Sequence, residues 1–298
     1  MRILTAIAGD KEAGRAVRTA VPRLFSLGTH EFRRLKQQAS ILVNGEVVRA
    51  DHILQAGDRI EVHLKSEGST FSGVSLPLED RGCRIMYIDS DLLAVSKAAP
   101  LPTLPSAHQC GESLREIVRD MLGAEENSFG YHPVNRLDKG TSGLLIIARH
   151  AHAQRLLSAE LHTDRFIREY LAVTEGIPNA PEGVIDAPIA RAGTGARRCI
   201  RPDGQNASTH YHIESVSGNR ALLRLRLFTG RTHQIRIHLA HIGCPIVGDY
   251  LYGQMHPVLR NRFALHSTSL YLVHPLTGEQ LFLDDPPPEL FTRLLRND

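Results

Sequence analysis

The sequence predicts an α+β protein, with a large unit built around a largely antiparallel sheet and a smaller αβ unit ahead of it. Beyond about residue 80, extended segments outnumber helical ones and no βαβ repeat recurs, which argues against a parallel, doubly wound sheet. Leu222 to Phe228 alternates strictly, with Leu223, Leu225 and Leu227 on one face and Arg224 and Arg226 on the other, the pattern of a strand with one face in a core. The first sixty-odd residues place basic helical patterns before an Asn44-Gly45 hairpin signal. A chain of 298 residues has room for both units. The expected boundary lies near residue 75, giving units 1–75 and 76–298.

In the first unit, Lys11 to Leu27 reads as a helix stopped by Gly28, and a second helix starts at about Thr29, with Phe32 and Leu35 on one side. Ile41 to Val48 then forms two β-branched stretches joined by Asn-Gly, a dipeptide that tolerates the positive φ angles of a tight turn. Ala56-Gly57-Asp58 turns the chain into a strand from Arg59 to Leu64, and the Ser- and Gly-rich stretch Lys65 to Glu79 reads as a linker.

In the second unit, Asp91 to Lys97 is a short buried strand and Leu101 to Ser106 a proline-bearing loop. The next helix carries its own start and stop signals: Ser113 and Glu116 make a capping box, Leu114, Ile117, Val118, Met121 and Leu122 a stripe, and Gly123 the end. Leu144 to Ala148 is a continuous apolar strand, Ala151 to His162 a helix buried on one face, and Ile167 to Val173 another strand. After Thr229-Gly230 a helix is expected from about Thr232 to His241, ending at Gly243 with Pro245 beyond.

Composition bounds function loosely. With 42% hydrophobic and 22% charged residues the chain is neither disordered nor fibrous. A net charge of +3 does not identify a nucleic-acid binder, so that case must rest on where the arginines sit. Cys83, Cys110, Cys199 and Cys244 are scattered, which fits reduced thiols and a cytoplasmic location. No stretch approaches the roughly 20 apolar residues of a membrane span, and the first ten residues lack a long apolar core, so neither export nor insertion is expected.

The segment Asn135-Arg136-Leu137-Asp138-Lys139-Gly140-Thr141-Ser142-Gly143 sets an arginine, a carboxylate and a glycine-bearing turn directly before an apolar strand. Taken alone, Asp138 is most simply a turn carboxylate paired with a neighbour. Further blocks change that weighting: Tyr170 with Ala172 and Gly176, then Thr229 to His238 (TGRTHQIRIH), then Ala264-Leu265-His266, then Val273 to Gly278. In this order and spacing they closely resemble the RluA-type pseudouridine synthases over about residues 80 to 290, and residues 12 to 65 resemble the S4 RNA-binding module.

The resemblance implies an enzyme that cleaves the N-glycosidic bond of a uridine in RNA, turns the uracil and rejoins it to the ribose through carbon. Asp138 matches the nucleophile; whether it attacks the ribose, attacks the base or abstracts a ribose proton stays open. Arg231 matches the arginine that holds its charge, a guanidinium being permanently ionised and able to grip a carboxylate with two hydrogen bonds. Tyr170 matches a tyrosine that stacks on the uracil and is a candidate to remove the C5 proton. Leu265 matches an apolar wall of the pocket. A target uridine must leave its stack, and Arg136 matches a position that fills the gap. Asn135 departs from the family, where many members carry histidine, which puts a local contact in doubt. Lys139, Arg191, Arg197, Arg198 and Arg236 are further phosphate-binding candidates, although single surface arginines are more often merely solvated.

No cofactor and no metal are implied; the partner is RNA, ribosomal RNA of the large subunit ahead of transfer RNA, and the protein is expected to be a monomer. Two other classes compete. The cluster His233, His238, His241 and Cys244 admits a zinc hydrolase, though no His-Glu-x-x-His or paired-cysteine signature accompanies it. A catalytically inactive RNA-binding ribosome-assembly factor is the non-enzymatic alternative.

Overall fold

A strand that carries no strong local signal opens the N-terminal unit. In the structure, a computed structural model that describes residues 2–64, 81–105, 111–125, 129–193 and 195–296, β1 (Arg2–Ile7) lies antiparallel to β4 (Arg59–Leu64), with Arg2 opposite Leu64. β4 also pairs with β2 (Ile41–Val43), which turns through Asn44 and Gly45, at φ 52° and 86°, into β3 (Glu46–Val47). Two helices cover this sheet, α1 (Val17–Leu24) and α2 (Thr29–Gln37). The first is shorter than its pattern suggests, because Gly14, at φ 77°, gives its N–H to the Leu54 carbonyl and turns the chain before the helix begins. Val17, Val21, Leu35, Ile41, Ile60 and Val62 form the core of the unit. The expected linker from Lys65 to Glu79 lies outside the described residues.

The second unit is α+β, as expected. Its ten-stranded sheet runs in the order β10-β13-β14-β9-β15-β8-β6-β5, with β16 against β15 and β7 against β8. In chain order these strands are β5 (Cys83–Ile88), β6 (Leu92–Lys97), β7 (His132–Pro133), β8 (Ser142–Ala148), β9 (Phe166–Glu175), β10 (Glu182–Asp186), β13 (Ser208–Ser217), β14 (Arg220–Leu227), β15 (Leu265–Val273) and β16 (Gln280–Asp284). Among the described strands only β8 and β15 pair in parallel. A small antiparallel arm, β11 (Ile189–Arg191) and β12 (Arg198–Ile200), stands apart from the sheet.

All seven residues of β8 are buried, because both sheet faces are covered there. Leu145 and Ile147 pack with Leu114, Ile117 and Val118 of α3 (Leu114–Met121), whereas Leu144 and Ile146 pack with Ala153 and Leu157 of α4 (Ala151–Glu160). The predicted capping box is present: the Glu116 carboxylate accepts from the Ser113 N–H at 2.6 Å and from its hydroxyl at 2.7 Å. The two units touch where Glu31 of α2 approaches His152 Nδ1 at 3.3 Å and Arg155 Nη2 at 3.4 Å on α4. No described helix is long and apolar enough to cross a membrane.

Candidate active site

Adjacent strands collect residues that are far apart in sequence. In the pairing of β9 with β15, Tyr170 lies opposite Ser267 and Ala172 opposite Leu265, while His266 lies opposite Ser142 at the start of β8. The loop that leads into β8 carries Asp138. It is clamped along its length: Thr103 Oγ1 donates to the Leu137 carbonyl at 2.9 Å, Leu101 N–H to the Lys139 carbonyl at 3.0 Å, and Thr141 N–H to the Asp138 carbonyl at 3.0 Å. Two glycines permit its close packing. A Cβ on Gly140 would sit 2.6 Å from the Phe263 ring, and one on Gly143, at φ 103°, 2.2 Å from the Ser267 carbonyl oxygen. Asn135 is spent on structure, its Oδ1 accepting from the Ile146 N–H of β8 at 2.9 Å.

The arginine that holds Asp138 is Arg236, not Arg231. Arg236 Nη1 donates to Asp138 Oδ2 at 3.0 Å, and the rest of its guanidinium grips Asp249, Nε to Oδ2 at 2.7 Å and Nη2 to Oδ1 at 2.8 Å. Its Cζ lies 4.2 Å from the Phe263 ring centroid and 5.1 Å from that of Tyr252. Burial works against the charge, but the two carboxylates win and raise the Arg236 pKa.

Arg231 instead points its Nε at the Asn206 carbonyl, 3.1 Å away. The reason lies in the turn between the two arginines. Gln234 Oε1 accepts from Arg231 N–H at 2.9 Å and from the Thr229 hydroxyl at 2.7 Å, and His233 adopts the left-handed conformation at φ 60°. Helix α5 (Gln234–His241) therefore starts two residues later than expected, and its Gln234 to Leu239 stretch is buried on all sides. An arginine inside so buried a helix requires buried carboxylates, and that was the available sequence signal.

The remaining expected residues meet at a cleft of about 650 Å³, lined among others by Arg136, Asp138, Tyr170 and Arg231. A smaller recess at its base adds Arg236 and Leu265. Asp138 keeps 29% side-chain exposure toward this opening, Arg136 is exposed at its rim, and Tyr170 and Leu265 are buried walls. Burial pushes the Tyr170 phenol above its ordinary value, so it keeps its proton at neutral pH.

Three further residues belong to the site: Asp249 and Lys97 did not stand out in the sequence, and His233 did so only as a zinc-ligand candidate. Asp249 is fully buried; besides holding Arg236 it accepts the Leu251 N–H at 3.0 Å, which fixes it at the start of a turn. Lys97, at the end of β6, is fully buried, and its ammonium donates to the carbonyls of Leu101 at 2.7 Å and Ala98 at 3.0 Å. Desolvation pushes its pKa down to about 7, against the pull of Asp138. His233 places Nε2 3.8 Å from Asp138 Oδ2 and Nδ1 2.8 Å from the Tyr252 hydroxyl. Burial lowers its pKa, so it is neutral at pH 7.

Within the histidine and cysteine cluster, His238 is committed to other bonds. His238 Nδ1 meets the Thr209 hydroxyl at 2.9 Å and Nε2 the Ala187 carbonyl at 3.0 Å, leaving neither nitrogen for a cation. Asp89, Asp91 and His274 lie close enough together to have the outline of a metal site. However, His274 Nδ1 accepts from the N–H groups of Leu276 and Thr277, at 3.3 and 3.0 Å. The ring proton therefore sits on Nε2, facing Asp89 Oδ2 at 2.9 Å, and no lone pair of the ring remains for a metal.

Comparison with known proteins gives the chain a family. Residues 91–241 match the RNA pseudouridylate synthase family. The uncharacterized RNA pseudouridine synthase YjbO of Bacillus subtilis (strain 168) is 33% identical over 259 residues, covering 86% of this chain and 89% of that protein. The ribosomal large subunit pseudouridine synthase D of Haemophilus influenzae is 37% identical over 263 residues, covering 80% of this chain and 76% of its own length. The solved structure of human RNA pseudouridylate synthase domain containing 4 superposes with a TM-score of 0.57 at 24% identity, over 73% of this chain and 94% of that one, a likeness of fold.

Proposed function

The chain belongs to the RNA pseudouridylate synthase family and is an RNA pseudouridine synthase; we propose that it acts on large-subunit ribosomal RNA, with Asp138 as its nucleophile. The observation that carries the assignment of Asp138 is its position: a clamped carboxylate, bonded to a buried arginine and open on its other side to a cleft walled by Tyr170 and Leu265. The choice of ribosomal RNA rests on the relatives named for the large subunit, and on the S4-like pattern of residues 12 to 65, which fits a sequence-tolerant RNA contact.

Chemically, the bond from ribose C1′ to uracil N1 breaks, a bond from C1′ to C5 forms, and the C5 proton leaves while N1 gains one. Asp138 Oδ is the group placed to start this, at the ribose or at the base. Arg236 orients it and offsets its negative charge, and Asp249 in turn fixes Arg236. Tyr170 and Leu265 hold the flipped uracil, a stacking contact worth about 1 to 3 kcal/mol per base in nucleic-acid binders. Tyr170 can accept the C5 proton only after its own has left, which its burial disfavours. Arg136, at the exposed rim, is positioned to enter the gap left by the base.

Release of tritium from C5-labelled uridine in RNA tests the reading. Asp138→Ala is expected to lower release by a factor on the order of a thousand or more while the protein stays folded and binds RNA. Substantial residual turnover would remove Asp138 from the role of nucleophile. Comparing pseudouridine positions in cells with and without the gene tests the ribosomal target, and loss confined to transfer RNA would refute it.

A further inference from the structure

Beside the cleft, and separate from its catalytic recess, lies a second cavity of about 370 Å³ whose wall carries Arg191, Arg198 and Arg231. None of these three arginines has a carboxylate partner among the described residues. The Arg191 side chain has no hydrogen-bond or ion-pair partner among them. The Arg198 side chain reaches only the carbonyls of Ala196 and Arg197, at 3.2 and 3.5 Å, and Arg231 only that of Asn206. The one acid on the wall, Asp203, is already gripped by two donors of Arg201, Nε and Nη2.

The arm itself is arranged against its own stability. Arg191 and Arg198 lie directly opposite each other in the β11–β12 register, where like charges repel. A short hairpin that sets two guanidiniums face to face, with a third from the turn before α5, collects positive charge that no described protein group neutralises. A tetrahedral anion with several acceptor oxygens is what three guanidiniums can grip together.

We propose that this cavity seats a backbone phosphate of the RNA next to the flipped uridine; the proposal rests on the pseudouridine synthase reading. Two observations tie the cavity to the reaction. Arg231 and Thr232 line both it and the cleft, so an RNA strand lying in one continues into the other. Moreover, the backbone N–H of Arg198 donates to the Tyr252 hydroxyl at 2.9 Å, and that hydroxyl meets His233 Nδ1, whose ring faces Asp138. Settling the arm on a phosphate therefore also settles the His233 side of the nucleophile's surroundings.

The test is equilibrium binding of the full-length protein to a labelled single-stranded oligouridylate across a salt series. Arg191→Gln and Arg198→Gln are each expected to weaken binding and to reduce the slope of log affinity against log salt by about 0.7, with the double variant losing about twice that. Arg191→Lys should restore the slope. The paired change Arg201→Gln with Asp203→Asn, which removes two charges that already neutralise each other, should leave it as in wild type. In an RNA that the enzyme modifies, one neutral methylphosphonate linkage beside the target should weaken wild-type binding and leave the double variant unaffected.

A folded double variant with wild-type affinity and slope, or a slope lost equally when Arg201→Gln and Asp203→Asn are made together, would overturn the proposal. The outcome is separable from that of the functional reading: shifted slopes with no tritium release from any RNA would keep the phosphate seat and discard the isomerase assignment. Normal release with unshifted slopes would do the reverse.

Discussion

Arg236 and the arginines of the β11–β12 arm are the same residue type a short distance apart, in opposite circumstances. Arg236 is buried, bonded to Asp138 and Asp249 and stacked on Phe263, so its charge is consumed inside the protein. Arg191, Arg198 and Arg231 end at backbone carbonyls or at nothing described, so their charge is left for something outside. Lys97 is a third case, a fully buried cation with carbonyl partners and a pKa pushed down to about 7. An arginine surrounded by carboxylates positions another side chain, whereas one without them awaits a ligand. Charge inventory, more than proximity to Asp138, separates the two.

That contrast can be broken most directly at Arg236. Arg236→Gln leaves Asp249 buried without its cation and Asp138 without a partner; turnover is expected to fall by roughly a hundredfold or more. Arg231→Gln should cost under about tenfold, through RNA binding. Equal losses in kcat/KM for the two variants would erase the distinction.

Next comes Asp249→Ala, which strands Arg236 in the core and should cost about 3 to 5 kcal/mol in urea unfolding, the range for a broken buried pair. It should also lower turnover, since the guanidinium loses the contacts that aim it at Asp138. Unchanged stability would show that Asp138 alone suffices to hold Arg236.

A smaller effect separates Lys97 from both classes. Its folded pKa of about 7 lies below the value near 10.4 of an unfolded lysine, so between these pH values the unfolded chain binds a proton that the folded one lacks. Stability from this group therefore rises with pH above about 7. Between about pH 6.5 and 8.5 the unfolding free energy of wild type should gain about 2 kcal/mol relative to Lys97→Met. Parallel curves for the two proteins would mean that Lys97 stays charged. Smallest is Gly45→Ala in the N-terminal hairpin: it forces a side chain into φ 86° and should cost about 1 kcal/mol, read as a drop of a few degrees in Tm.

Features that announce themselves over a few residues were legible. The Ser113–Glu116 cap, the Asn44-Gly45 turn, the alternation from Leu222 to Phe228 and the run into β8 each formed where expected, because short-range sterics and side-chain periodicity dictate them. β1 was not legible: it pairs with β4 more than fifty residues later, and no turn beside it signals a strand. In the site, resemblance directed attention to Asp138, Tyr170 and Leu265, and strand pairing brings all three to one cleft. It misdirected the choice of arginine, because Arg231 and Arg236 share a block and differ only in where the turn at His233 sends them.

The sequence by itself therefore determined the fold class, the order of most elements, the family and the loop that holds the carboxylate, all properties of residue type and spacing along the chain. Tertiary structure alone decided which cation meets Asp138, that Asp249 stands behind it, and that Arg191, Arg198 and Arg231 are left without acids among the described residues. Those depend on distances between groups that the chain separates by up to ninety-eight residues, as in the Asp138–Arg236 bond, and only the assembled sheet and the turn into α5 fix them.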